Sequence, residues 1–135
     1  MKQLLAVALL LCGFPAAAQT VEVADGKWSN LPYAKERGLG SISTVAVARI
    51  HEVIASGECK VAGQSKRKLD MTVPFALQFG PDGTLQKLIL QRVGCAEIEG
   101  ILGGTVLELV KLGKYAPTGE NDAGWYRSEI SFSSS

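Results

Sequence analysis

The stretch Leu69–Phe79, LDMTVPFALQF, places Leu69, Met71, Val73, Phe75, Leu77 and Phe79 at every second position, with Asp70, Thr72, Pro74, Ala76 and Gln78 between them. A period of two predicts a strand with one buried face. Pro74 has no N–H to give to a ladder, so its nitrogen must face an edge or a bulge. Gly80-Pro81-Asp82-Gly83 follows at once and is a strong turn signal. Thr84 to Val93 reads as the returning strand, carrying Leu85, Leu88, Ile89, Leu90 and Val93. Its alternation slips near Lys87, which implies a bulge or partial cover on both faces. The two runs make a β-hairpin.

Toward the C-terminus, Ala96 to Lys114 reads as a helix. Ile98, Ile101, Leu102, Leu109 and Val110 form its apolar stripe, with Thr105 and Val106 filling the middle. Gly103 and Gly104 each cost up to about 1 kcal/mol against alanine in a helix interior. Close approach to the sheet explains them, or else a kink does. Gly113 ends the helix and Pro117 prevents its resumption. Thr118 to Gly124 is polar and glycine-bearing, hence a loop. Trp125 to Ser133 reads as the closing strand. Tyr126, Ile130 and Phe132 share one face, and Arg127, Glu129 and Ser131 the other.

Toward the N-terminus, Lys66-Arg67-Lys68 is the basic run. It reads as a solvated approach that discourages edge-to-edge pairing, or as a contact for an acidic partner. Thr44 to Ser56 reads as a helix capped by Thr44, with Val47, Ile50, Val53 and Ile54 on one stripe and Gly57 at its end. His51 falls beside that stripe and reads as a boundary residue, not as a ligand or base. Residues 20–41 contain Gly26, Pro32, Gly38 and Gly40 and keep no period. They read as an extended arm docked by Trp28, Leu31 and Tyr33, with room for one short strand.

The first eighteen residues have the three parts of a secretory leader. Lys2 is the basic region, Leu4 to Cys12 the apolar run, and Ala16-Ala17-Ala18 the small-residue site, so cleavage is expected before Gln19. The apolar stretch of about 15 residues is short of the roughly 20 that span a bilayer. Leu11 before Cys12 does not suit lipoprotein acylation. The chain thus divides into a signal peptide (1–18), an extended arm (19–43) and one domain (44–133), placed in the periplasm or secreted.

Export leaves Cys59 and Cys95, and a pair in an oxidising compartment reads most simply as a disulfide. Two buried thiols or a metal pair compete with that reading. A metal site needs more ligands, and the chain has a single histidine, His51. Setting Lys2 aside with the leader, the 14 Lys and Arg become 13, equal to the 13 Asp and Glu. That balance argues against a nucleic-acid binder. Acid–base chemistry would need a histidine or paired carboxylates in a cleft. His51 is alone, and Glu97 and Glu99 face different sides of their helix. No serine sits in a nucleophile elbow and no glycine-rich phosphate loop follows a strand. No catalytic residue, metal site or cofactor is assigned.

The order after residue 68 is strand, strand, helix, strand. It resembles the C-terminal domain of the TonB energy-transducer family. The matching features are the long alternating strand leading into Asp82-Gly83, the second strand ending at Gly94 and the helix leaving through Gly113-Lys114-Tyr115-Ala116-Pro117. The aromatic-rich closing strand, Trp125-Tyr126-Arg127 to Phe132, completes the match over residues 69–133, about half of the chain. The resemblance implies an α+β fold: a three-stranded antiparallel sheet (β-β-α-β) with one helix on a face, preceded here by the extra helix at 44–56. It also implies a periplasmic module that binds a short N-terminal segment of an outer-membrane receptor, or an extended peptide of another envelope protein, by strand addition.

Carried over by position, the docking strand holds Trp125, Tyr126, Arg127, Glu129 and Ser131. Arg127 and Glu129 would be neighbours of the added peptide, since strand addition draws on backbone groups. An open edge would also allow a homodimer. Stable membrane insertion is not expected. A transducer needs a membrane helix and a long proline-rich spacer, whereas this chain has five prolines and no spacer, so direct energy transduction is not expected. The alternative is a small secreted inhibitor or structural envelope protein, because a helix followed by a β-meander also fits cystatin-like inhibitors. A helix at 96–114 discriminates between them. A small secreted enzyme stands behind both.

Overall fold

The structure is a computed structural model that describes residues 21–37, 41–119 and 124–134. The expected signal peptide and its cleavage point lie outside the described residues. In chain order the elements are β1 (Val21–Ala24), β2 (Lys35–Glu36), α1 (Thr44–Ala55), β3 (Leu69–Phe79), β4 (Leu85–Gln91), α2 (Ala96–Lys111), β5 (Tyr115–Ala116) and β6 (Trp125–Ser134).

The fold is α+β. The sheet, however, has four strands in the order β1-β4-β3-β6, where three antiparallel strands were expected. β4, β3 and β6 are antiparallel as the sequence suggested, and β1 adds a parallel strand along β4, pairing Val21 with Leu88 and Val23 with Leu90. β1 comes from the arm. Its Val21 and Val23 share the inward side with Leu88 and Leu90, so the arm extends the buried face as well as the ladder. The short β2 and β5 form a separate two-stranded ribbon.

The odd-numbered residues of β3 all turn inward. Leu69, Phe75 and Leu77 are fully buried, and Leu88, Leu90, Ile98, Leu102 and Val106 join them in one core. Both helices cover this face, the one expected after the hairpin and the extra one that precedes it. α1 contributes Ile50, Val53 and Ile54 and packs near β6, while α2 packs near β4 and β1. Arg49 of α1 and Glu97 of α2 form an ion pair between the two helices. Ser43 caps α1, one residue before the expected Thr44, its hydroxyl accepting from the Ala46 N–H at 3.1 Å. Either residue type can cap; Thr44 is instead the first helical residue. His51 lies within α1, half-buried beside its apolar stripe, with Nε2 2.6 Å from the Lys66 carbonyl.

α2 ends at Lys111, three residues earlier than expected, in a Schellman turn. The Gly113 N–H donates to Val110 and the Lys114 N–H to Leu109, with Gly113 at φ 76°. The two interior glycines differ. A Cβ on Gly103 would lie 2.8 Å from Val21 Cγ1, whereas one on Gly104 would meet nothing within 4 Å. Gly103 therefore admits β1, and Gly104 has no such packing role.

Pro74 fits where its missing N–H requires. The Phe79 N–H donates toward β6, to Gly124 at 2.8 Å, so the even residues of β3 aim their backbone groups toward β4. The β4 register ends at Phe75↔Leu90, leaving Pro74 just past the ladder. Farther along, the Gln64 amide stands in for a strand partner, accepting from the Asp70 N–H at 2.7 Å and donating to its carbonyl at 2.8 Å. The slip near Lys87 is a bulge: Gln78 pairs with Lys87 but Phe79 with Leu85, leaving Gln86 extra. The Cys59–Cys95 disulfide, spanning 36 residues, ties the loop after α1 to the residue that precedes α2.

Candidate functional site

β6 is an edge strand of the main sheet. Tyr126, Ser128, Ile130 and Phe132 turn toward the helices and are buried. Tyr126 packs edge-on against Phe79, and its hydroxyl accepts from the Gly119 N–H at 2.8 Å. Of the residues expected on a docking strand, Tyr126 is therefore a core residue. Trp125, Arg127, Glu129 and Ser131 point to the opposite face, with Glu129 and Ser131 exposed.

The arm returns to this edge after β1. Gly26 reaches Gln91 Oε1 at 3.4 Å near the β4 side. Lys27, Trp28, Ser29 and Tyr33 then line a cavity of about 310 Å³ with Pro74, Arg127 and Glu129. Pro32–Ala34 lies parallel to β6. The Arg127 N–H donates to Pro32 and the Ala34 N–H donates to the Arg127 carbonyl, both at 2.9 Å. The arm next drops to the helix side, where β2 meets β5 and Ser128 Oγ donates to Glu36 at 3.3 Å. The Tyr115 phenol beneath is pushed up, first by burial and then by the charge of Glu36.

This arrangement fixes which part of the edge is open. Both outer backbone groups of Arg127 are taken. Backbone direction alternates along a strand, so Glu129, Ser131 and Ser133 face outward too. None of these three has a backbone partner on that side among the described residues. The open segment is about 17 Å long at the usual rise per residue. The charged side chains beside it are Lys27, Arg127 and Glu129, and Arg127 makes no ion pair among the described residues. The Arg127 guanidinium lies 4.2 Å from the Tyr33 ring centroid, and its Nε is buried without a hydrogen-bond partner.

The sequence did not point to Pro32–Ala34 or Tyr33 as part of this edge, because they reach it by backbone groups that leave no side-chain period. Among the described residues no group of three or more His, Cys, Asp or Glu could hold a metal ion. No helix among them is long and apolar enough to cross a membrane. No protein-family model, curated protein or solved structure matches this chain.

Proposed function

We propose that this chain is an exported binding module that takes up an extended peptide by strand addition along Glu129–Ser133 of β6. The observation that carries the reading is the row of outward backbone groups at Glu129, Ser131 and Ser133, left without a partner beside an arm that occupies Arg127. An open row of this kind is a template for another strand. The partner class is an envelope protein or an outer-membrane receptor segment, as the TonB-like order of hairpin, helix and closing edge strand suggests. The helix at Ala96–Lys111 supports this reading over a cystatin-like one. The Cys59–Cys95 disulfide suits an oxidising compartment, in keeping with periplasmic or secreted placement after cleavage before Gln19.

A second reading uses the same edge. Two copies of β6 could pair antiparallel about Ser131, which would set Glu129 opposite Ser133 and keep like charges apart. One experiment addresses both. A photoreactive residue in place of Glu129 is tested in cells, with and without Ser131→Pro. The Ser131 N–H points away from β3, so proline removes an outer donor and no ladder bond. Capture of an envelope protein that Ser131→Pro abolishes supports the module. Capture of the chain itself favours the dimer. Capture that Ser131→Pro leaves unchanged rules out strand addition.

A further inference from the structure

The open stretch of β6 stops at a cation. Arg127 is where the arm closes the edge, and its guanidinium stacks over Tyr33 with no ion-pair partner among the described residues. Tyr33 and Arg127 form a parallel bridge, so their side chains share the face away from the helices. Pro32–Ala34 blocks any added strand from running past this point. We infer that the peptide taken up along Glu129–Ser133 runs antiparallel to β6 and ends there, its free C-terminal carboxylate held by Arg127. This rests on the strand-addition reading, adds to it the polarity and end group of the ligand, and selects the C-terminus of an envelope protein over an N-terminal receptor segment.

Two independent features select the same end. Antiparallel pairing is slightly more stable per residue than parallel pairing. β6 runs from Arg127 toward Ser133, so an antiparallel strand arrives at Arg127 with its C-terminus. A strand blocked at that end must either stop or turn away, and stopping leaves a carboxylate. The side chain waiting there is the one whose planar fork matches a carboxylate. Tyr33 holds the guanidinium flat and limits the freedom it would lose on binding. Lys27 lines the same cavity and adds a second positive charge. Glu129 opposes them. Its carboxylate is exposed and weakens the site for an acid while favouring an amine, so it separates the two possible polarities.

Two random decapeptide libraries, one displayed with a free C-terminus and one with the C-terminus fused to the carrier, provide the probes. Binders should come from the first library only. A synthetic binder should bind roughly tenfold tighter as the acid than as the C-terminal amide. Arg127→Gln should erase that difference, Arg127→Lys should keep part of it, and Glu129→Gln should tighten the acid. Circular dichroism and melting checks that the variants are folded; Arg127→Lys and Glu129→Gln serve if Arg127→Gln is not. Equal binding of acid and amide overturns the inference, and Ser131→Pro abolishing both would leave strand addition standing. Weaker binding in Glu129→Gln overturns it in favour of the reverse polarity. No binder from either library overturns it together with the reading beneath it.

Discussion

At the scale of single residues, the paired glycines of α2 make the sharpest contrast. Gly103→Ala would drive a methyl into Val21 and should destabilise by about 1–3 kcal/mol, as overpacking does. Gly104→Ala meets open space and should stabilise by up to about 1 kcal/mol through helix propensity. Urea unfolding of the two variants checks both signs. The sequence offered close approach or a kink for the pair, and only one of the two glycines has a neighbour that needs the space. Asp82 gives a pH-dependent test. The Thr84 hydroxyl, and then the Thr84 N–H, hold its carboxyl below the usual range. The resulting stabilisation is complete above the ordinary carboxylate value near about 4 and fades as pH falls through the lowered one. Asp82→Asn should flatten that acid limb in melts recorded from neutral pH downward; an unchanged limb would remove the turn as its source.

At the scale of elements, legibility followed length. β3 was readable because its alternation persists through eleven residues. The Lys87 bulge was readable as a break in an otherwise regular run. β1, with the four residues VEVA, is too short to stand out from an arm rich in turn formers. Its pairing depends on the space at Gly103, about eighty positions away, which no local pattern encodes. The two-residue β2 and β5 were invisible for the same reason. The position of β6 at an edge was implied by the TonB-like resemblance, but its partial cover by Pro32–Ala34 was not, since backbone pairing at a proline-flanked bend has no signature. The disulfide joins the loop after α1 to the start of α2: Cys95 is buried in the core and Cys59 is half-buried against it. Replacing both with alanine should cost about 3–4 kcal/mol for the 36-residue loop they close, on the chain-entropy account. Calorimetry should show a lower melting temperature with the fold retained; an unchanged temperature would mean that the bridge constrains nothing.

At the scale of the whole molecule, the arm ties the sheet together from outside. It covers the edge of β4 with β1, crosses the face that lacks helices and closes part of the edge of β6 before entering the helix layer. One continuous segment thereby adds the short edge strand β1 on one side of the sheet and narrows the open edge of β6 on the other to Glu129–Ser133. On the proposed strand-addition reading, where the arm stops would set the ligand's reach as much as the strand itself.

The registers of β3 carry a consequence for timing. It pairs with β6 over ten positions, Leu69 to Gln78, and with β4 over only five. During synthesis β4 emerges directly behind β3, but β6 emerges after every other described strand. The longest described strand therefore stays without its longest partner until the sheet's last strand has left the ribosome. Contacts at such separation also close slowly. The sheet's longest ladder can therefore close only once the last strand of the domain is free to pair.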